Sequence, residues 1–146
     1  MAGITEELGQ FVADVSLSEL PADVVWKAKS CVLYGLAIAM GASDNAGAGV
    51  AAAAMQDVDG APEAGRSTIL LSGARVGASD AAFANAVLFN GRNQSDSYRT
   101  AAHLGWTVLP SVLAMAERLG SSGREAIEAV VAGYEVAAAI AKEHVN

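Results

Sequence analysis

Cysteine, histidine and aromatic residues are scarce in this chain of 146 residues. One cysteine excludes an internal disulfide, and one cysteine with two histidines is too small a set for a structural zinc site. Aromatic residues make up only 5% of a chain that is 53% apolar, so small side chains, chiefly alanine, carry the hydrophobicity. Small side chains bury little surface each, and such a chain needs a large contact area. We therefore expect an oligomer.

Positive charge is also scarce and scattered. Nine Lys and Arg stand against sixteen Asp and Glu, which gives a net charge of −7 and argues against nucleic acid as a partner. The longest uncharged apolar run, Cys31 to Ser43, is shorter than the roughly 20 residues that span a bilayer. No basic segment followed by an apolar stretch begins the chain. We expect no membrane association and, with a single cysteine, a cytoplasmic location.

Helical periodicity dominates the chain, which has the length of one domain over residues 1–146. The pattern predicts an all-α fold, a bundle of about six helices with one small β-hairpin. The predicted helices begin near Thr5, Pro21, residue 46, Ser79, Trp106 and Ser122, and the hairpin covers Arg66 to Val76.

Specific residues mark several of these helix ends. Thr5 and Ser79 are expected N-caps, Ser122 and Glu125 form an expected capping box, and Gly120 is expected to end the fifth helix. From Cys31 onward the second helix is apolar on every side, which predicts burial all round.

The stretch from Asn90 to Leu104 is polar and lies between two predicted helices. It holds His103 close to Asp96, Ser97, Tyr98 and Arg99. A histidine can act as general acid or base, an arginine can hold a carboxylate, and a helix N-terminus favours an anion. The same pattern is also typical of a histidine that only satisfies backbone groups in a loop, and the residues alone leave both interpretations open.

Three further motifs occur in order along nearly the whole chain. They are Leu20-Pro-Ala-Asp-Val-Val25, Ala81-Ala-Phe-Ala-Asn85, and the run from Gly120 to Val136 that contains A-V-V-A-G-Y-E-V. They resemble the L-P-x-x-V-V, A-A-x-x-N-G and G-x-S-G-x-x-x-x-x-A-V-V-A-G-Y-E-V patterns of the 2-methylcitrate dehydratase-like (MmgE/PrpD) family. The ordered set identifies the chain as similar to the N-terminal part of that family's helical domain.

This resemblance implies a class of chemistry. The family's enzymes act on small polycarboxylates by dehydration, decarboxylation or epimerisation, and their common step is proton transfer next to a carboxylate. They are dimers that use neither a metal nor an iron–sulfur cluster, so the resemblance implies no cofactor and no metal. Their remaining catalytic residues come from later segments of longer chains.

The family's H-x-x-D-F-D-D-T segment falls on Asn90 to Ser97. Asp96 matches an aspartate of that segment, and Ser97 keeps the hydroxyl of its threonine. Asn93 and Ser95 stand where the family has aspartates, and an amide cannot ionise. The histidine of the family's H-P-x-G motif falls on His103.

The resemblance therefore implies that His103 and Asp96 are catalytic. His103 would be the general acid or base, and Asp96 would tune or orient the site. The substrate-binding residues would be Asn93, Ser97, Tyr98 and Arg99.

The expected function is a small lyase- or isomerase-type enzyme, or the small subunit of a split dehydratase. It would act by proton transfer on a small carboxylate-bearing substrate, as a homo-oligomer or with a second chain that supplies the missing half of the active site. Two alternatives stay open. One is a non-catalytic helical module that stabilises or regulates a full-length relative, and the other is a small-molecule binding protein without turnover.

Overall fold

The computed structural model describes residues 3–56, 67–99 and 102–142. In this part of the chain six helices and one two-stranded antiparallel hairpin form the fold, as the sequence predicted. The elements are α1 (Ile4–Asp14), α2 (Ala22–Gly41), α3 (Ala46–Gln56), β1 (Ser67–Thr68), β2 (Arg75–Val76), α4 (Ala78–Asn90), α5 (Gly105–Leu119) and α6 (Gly123–Lys142).

The helix ends agree with the sequence at α5 and α6 and differ at α1 and α4. Gly120 adopts a left-handed φ of 64° and ends α5, and Glu125 accepts hydrogen bonds from the Ser122 N–H and hydroxyl. The N-caps predicted at Thr5 and Ser79 are wrong. Each lies inside its helix, because the chain turns helical right after the extended backbone of a glycine, Gly3 for α1 and Gly77 for α4.

The main hydrophobic core lies where α2, α4, α5 and α6 meet. Phe89, Leu109 and Val130 are buried there. Gly35 allows α2 to approach closely, because a Cβ at that position would lie 2.6 Å from Leu109 Cδ1 and 2.8 Å from Phe89 Cε1. The core is therefore packed to contact on the α2 side, without space for one more methyl group.

Hydrogen bonds from two buried side chains hold the hairpin against α4 and α5. The buried Asn85 amide accepts the Leu70 N–H and donates to the Thr68 carbonyl, both at 2.9 Å. The buried Ser67 hydroxyl donates to the Ala114 carbonyl at 2.6 Å. Asn85 thus satisfies backbone groups that a two-stranded hairpin leaves unpaired, and Ser67 links the first strand to α5. The predicted hairpin is confirmed from residue 67, while Arg66 lies outside the described residues.

One face of α2 carries large apolar side chains that the described residues leave uncovered. Trp26, Leu33 and Met40 follow each other at seven-residue intervals and are 69%, 70% and 78% exposed. We call these three residues the α2 stripe. The prediction of burial all round is wrong, because α2 packs on the core only through its opposite face, with Gly35 and Ala39.

By length and composition alone, α2 is also apolar enough to cross a membrane, a test that the core helices of soluble proteins pass as well.

Candidate active site

The site loop, described at residues 91–99 and 102–104, joins α4 to α5 and is tied to the helices on both sides. Arg92 donates to the Gly41 carbonyl at the end of α2 and to Asp44. Tyr34, also on α2, donates its hydroxyl to the Gln94 carbonyl at 2.6 Å. These contacts hold the first half of the loop against the C-terminal half of α2.

Asp96 ties the second half of the loop to α5 and α6. Its Oδ1 accepts the N–H of Gly105, the first residue of α5, at 2.8 Å, and its Oδ2 accepts the Tyr134 hydroxyl at 2.6 Å. A Cβ at Gly105 would lie 2.4 Å from Asp96 Oδ1, so only glycine permits this approach. Both carboxylate oxygens therefore have a protein donor, which suits a residue that organises the loop.

His103 is exposed at the surface but anchored on the same loop. Its Nδ1 lies 3.0 Å from the Asp96 carbonyl oxygen and 3.2 Å from Ser97 Oγ. A carbonyl oxygen can only accept a hydrogen bond, so the bond to Asp96 requires the proton on Nδ1, whereas the Ser97 hydroxyl can donate to this atom or accept from it. In the neutral ring the lone pair is then on Nε2, which is the atom able to take a proton from a substrate.

Of the other predicted site residues, Tyr98 and Arg99 lie close together, and Asn93 stands apart. The Arg99 guanidinium lies 5.7 Å from the centre of the Tyr98 ring, within the range of a cation–π contact. Asn93 is exposed, and its side chain makes no hydrogen bond to another described residue of the site. Asn93 and Arg99 both have left-handed backbone, with φ of 51° and 52°. The structure thus brings together Asp96, Ser97 and His103, and it leaves Asn93 apart.

A cavity of about 680 Å³ opens between α2 and α6, with the site loop at one end. Three predicted site residues, Asp96, Ser97 and Tyr98, line it, whereas His103 does not. Its other lining residues are mostly apolar or small, with a few polar ones among them: Asp23, Val24, Lys27, Ala28, Cys31, Leu104, Val130, Val131, Tyr134, Glu135, Ala138, Ala139 and Lys142. The volume falls within the range of small-molecule sites.

Cys31 and Tyr134 meet Asp96 in this cavity, and both stay protonated near neutral pH. Burial raises the pKa of the Cys31 thiol, and the Asp96 carboxylate adds to that effect against the opposing influence of Lys27 and Tyr134. Burial also raises the pKa of Tyr134 well above its ordinary value, and the hydrogen bond to Asp96 acts in the same direction. Tyr134 is therefore a hydrogen-bond donor here, and Cys31 is a neutral thiol.

Sequence reasoning missed Tyr134, Cys31 and Lys27 as neighbours of the loop. Tyr134 was part of the apolar stripe of the last helix, among Val130 and Val131. A tyrosine on a stripe that faces the core needs a partner for its hydroxyl, and this was the available signal. The described ranges contain no group of three or more His, Cys, Asp or Glu side chains able to hold a metal ion.

The sequence profile of the MmgE/PrpD N-terminal domain matches residues 6–145. The chain therefore belongs to the MmgE/PrpD family and corresponds to the N-terminal part of it, as the motifs indicated. This is a family of dehydratase-like enzymes. No curated protein and no solved structure matches the chain.

Proposed function

We propose that this chain carries out, or contributes to, proton transfer at a carbon next to a carboxylate, in a lyase or isomerase reaction on a small carboxylate-bearing substrate. The observation that carries the proposal is the anchoring of His103 Nδ1 on the Asp96 carbonyl at 3.0 Å, which leaves Nε2 as the basic atom. Membership of a family of dehydratase-like enzymes supports the reaction class.

In the proposed reaction Nε2 takes the proton from carbon, and the ring becomes imidazolium. In an elimination the C–H electron pair forms the new double bond, and the imidazolium gives its proton to the departing hydroxide. In an epimerisation the proton returns to the other face of the carbon. The positive ring is stabilised by the hydrogen bond that Nδ1–H donates to the Asp96 carbonyl.

Substrate orientation is assigned to the neighbouring polar groups. Ser97 lies beside the imidazole and also lines the cavity, so its hydroxyl can hold a substrate that reaches from one to the other. Tyr98 lines the cavity, and Arg99 is exposed with a guanidinium suited to a carboxylate. Asn93 stands apart from these groups in the structure, and a substrate contact through its amide requires a ligand that extends along the loop.

We further propose that the protein works as an assembly, located in the cytoplasm, in which a second polypeptide covers the α2 stripe. This polypeptide is another copy of the chain or a chain that supplies further catalytic groups. The support is the exposure of Trp26, Leu33 and Met40 on a single helix face, because apolar patches of this kind mark interaction surfaces.

The experiment uses proton exchange, which needs no knowledge of the final product. The purified protein is incubated in D₂O with a panel of di- and tricarboxylates, and loss of the signal of the C–H next to a carboxylate is followed by ¹H NMR. The wild type should exchange at least one of them, and His103→Gln should slow that exchange by about 10²–10⁴-fold. The matched control is His144→Gln, which removes the other histidine and should exchange at the wild-type rate. Equal rates in wild type and His103→Gln would contradict the proposal.

A ligand-binding protein without turnover is the second candidate. The cavity of about 680 Å³ favours it, because His103 does not line that cavity. This alternative predicts that a carboxylate raises the melting temperature, since a ligand at 100 times its dissociation constant adds about 2.7 kcal/mol. It also predicts no deuterium exchange at any carbon of that same carboxylate.

A further inference from the structure

We infer that Tyr134 is a positioning residue for His103 and acts through Asp96. The Tyr134 hydroxyl donates to Asp96 Oδ2 at 2.6 Å, and the carbonyl of the same aspartate accepts Nδ1–H of His103 at 3.0 Å. Asp96 thus links two parts of the molecule. Its side chain accepts a hydrogen bond from Tyr134 on α6, and its backbone carbonyl accepts one from the His103 imidazole. The inference rests on the proposed role of His103.

The carboxylate of Asp96 is held from two sides by two separate helices. Gly105 supplies a backbone N–H from the start of α5, and Tyr134 supplies a hydroxyl from the middle of α6. Two donors on the two oxygens fix the rotation of the carboxylate and, with it, the orientation of the adjacent peptide group. That peptide group carries the carbonyl that determines which nitrogen of His103 is protonated.

Removal of the hydroxyl should release this arrangement. In Tyr134→Phe the Oδ2 atom loses its only protein donor among the described residues, and a half-buried carboxylate oxygen without a donor is costly even while Gly105 still donates to Oδ1. The side chain is then expected to turn toward water in the cavity, and the carbonyl shifts with it. Nδ1 of His103 loses its fixed acceptor, and the ring can adopt the Nε2–H tautomer that predominates in a free histidine side chain.

Tyr34 provides a matched comparison in the same loop. Its hydroxyl also donates to the loop, to the Gln94 carbonyl at 2.6 Å, but the hydrogen bonds of the His103 ring go to Asp96 and Ser97 and not to Gln94. Tyr34→Phe therefore removes one loop tether of the same chemistry and length. A general effect of loop anchoring would appear in both variants, whereas positioning through Asp96 would appear in Tyr134→Phe alone.

The test reads the tautomer directly, by long-range ¹H–¹⁵N NMR correlation of the His103 ring in a His144→Gln background at a pH where the ring is neutral. We expect Nδ1–H in the reference protein and in Tyr34→Phe, and a shift toward Nε2–H in Tyr134→Phe. For whichever carboxylate the reference protein exchanges, kcat should fall about 10–100-fold in Tyr134→Phe with a smaller change in KM.

A second variant keeps the test decisive should Tyr134→Phe fail to fold. Asp96→Asn leaves the tyrosine in place and replaces one oxygen by an NH₂ group, and it should shift the tautomer in the same direction. An unchanged Nδ1–H tautomer in either folded variant, or an equal shift in Tyr34→Phe, would overturn the inference. Loss of exchange in His103→Gln together with an unchanged tautomer in Tyr134→Phe would refute the positioning role alone. Full exchange in His103→Gln would refute the proposed function itself.

Discussion

The Asp96 carbonyl oxygen lies 3.0 Å from Nδ1 of His103, seven residues along the chain. This contact joins a loop residue held by two helices to a ring that faces solvent. The imidazole is thus accessible to a ligand while its protonated nitrogen is fixed. Three further hydrogen bonds surround this contact: one joins the His103 ring to Ser97 Oγ, and the Gly105 N–H and the Tyr134 hydroxyl donate to the Asp96 carboxylate.

The close approach of α2 to the core gives a prediction about packing. Gly35→Ala would place a methyl group 2.6 Å from Leu109 Cδ1 and 2.8 Å from Phe89 Cε1, and both neighbours are buried. We expect the free energy of unfolding to fall by about 1–3 kcal/mol, as measured by urea denaturation.

The matched control for this variant is Gly49→Ala. Gly49 lies inside α3, where an added Cβ meets nothing within 4 Å. Alanine should stabilise that helix by about 0.5–1 kcal/mol relative to glycine. Similar unfolding free energies for the two variants would show that α2 does not pack as closely as described.

Glu117 gives a prediction about pH. Partial burial acts to raise the pKa of Glu117, but hydrogen bonds from the Thr68 side chain and backbone and the charge of Arg75 outweigh it and leave the pKa below its usual value. The unfolded chain therefore binds this proton at a higher pH than the folded protein does. The stabilisation that the charged Glu117 contributes is complete at pH values above the ordinary glutamate pKa of about 4.3. It is lost as the pH falls through the lowered pKa of the folded protein.

Glu117→Gln should consequently be less stable than the wild type at pH 7, by about 0.5 kcal/mol because the group is partly exposed and screened. The difference should shrink in urea titrations as the pH is lowered below the ordinary glutamate range. Thr68→Val removes one of the two Thr68 donors to Glu117, and it should reduce the pH dependence without abolishing it. A difference between wild type and Glu117→Gln that stays constant from pH 7 to pH 3 would contradict this account.

The α2 stripe gives a prediction about assembly. Leu33→Gln and Met40→Gln should lower the mass of the native particle, measured by light scattering after gel filtration, because each places a polar group in the proposed interface. Val50→Gln is the control, since Val50 is also 70% exposed but lies on α3. A wild type that is monomeric and binds no second chain, or a stripe variant of unchanged mass, would count against the assembly.

The helices and the hairpin could be predicted from the sequence because their signals are local. Apolar spacing marked the helices, and the capping box at Ser122 and the glycine at Gly120 set two of the ends. The N-caps predicted at Thr5 and Ser79 were wrong because both helices start directly after a glycine, before the predicted cap residue. The prediction that α2 is buried on every side was wrong for a different reason. The sequence shows that a helix face is apolar but not what covers it.

The site was predictable only where its members are close in sequence. Asp96, Ser97 and His103 lie within one loop, and the loop brings them into contact. Tyr134 and Cys31 reach the same place from α6 and α2, so their convergence depends on how those helices pack. Asn93 was grouped with the others by proximity along the chain, but its exposed side chain makes no hydrogen bond to another described residue of the site.

The central claim is that His103 is held with its proton on Nδ1 and its lone pair on Nε2. The most direct measurement is the long-range ¹H–¹⁵N correlation of the wild-type ring above the pH at which it loses its charge. The account predicts that Nδ1 gives the signal of a protonated nitrogen and Nε2 that of a bare one. The reverse assignment, or the mixture dominated by Nε2–H that a free histidine side chain shows, would contradict it.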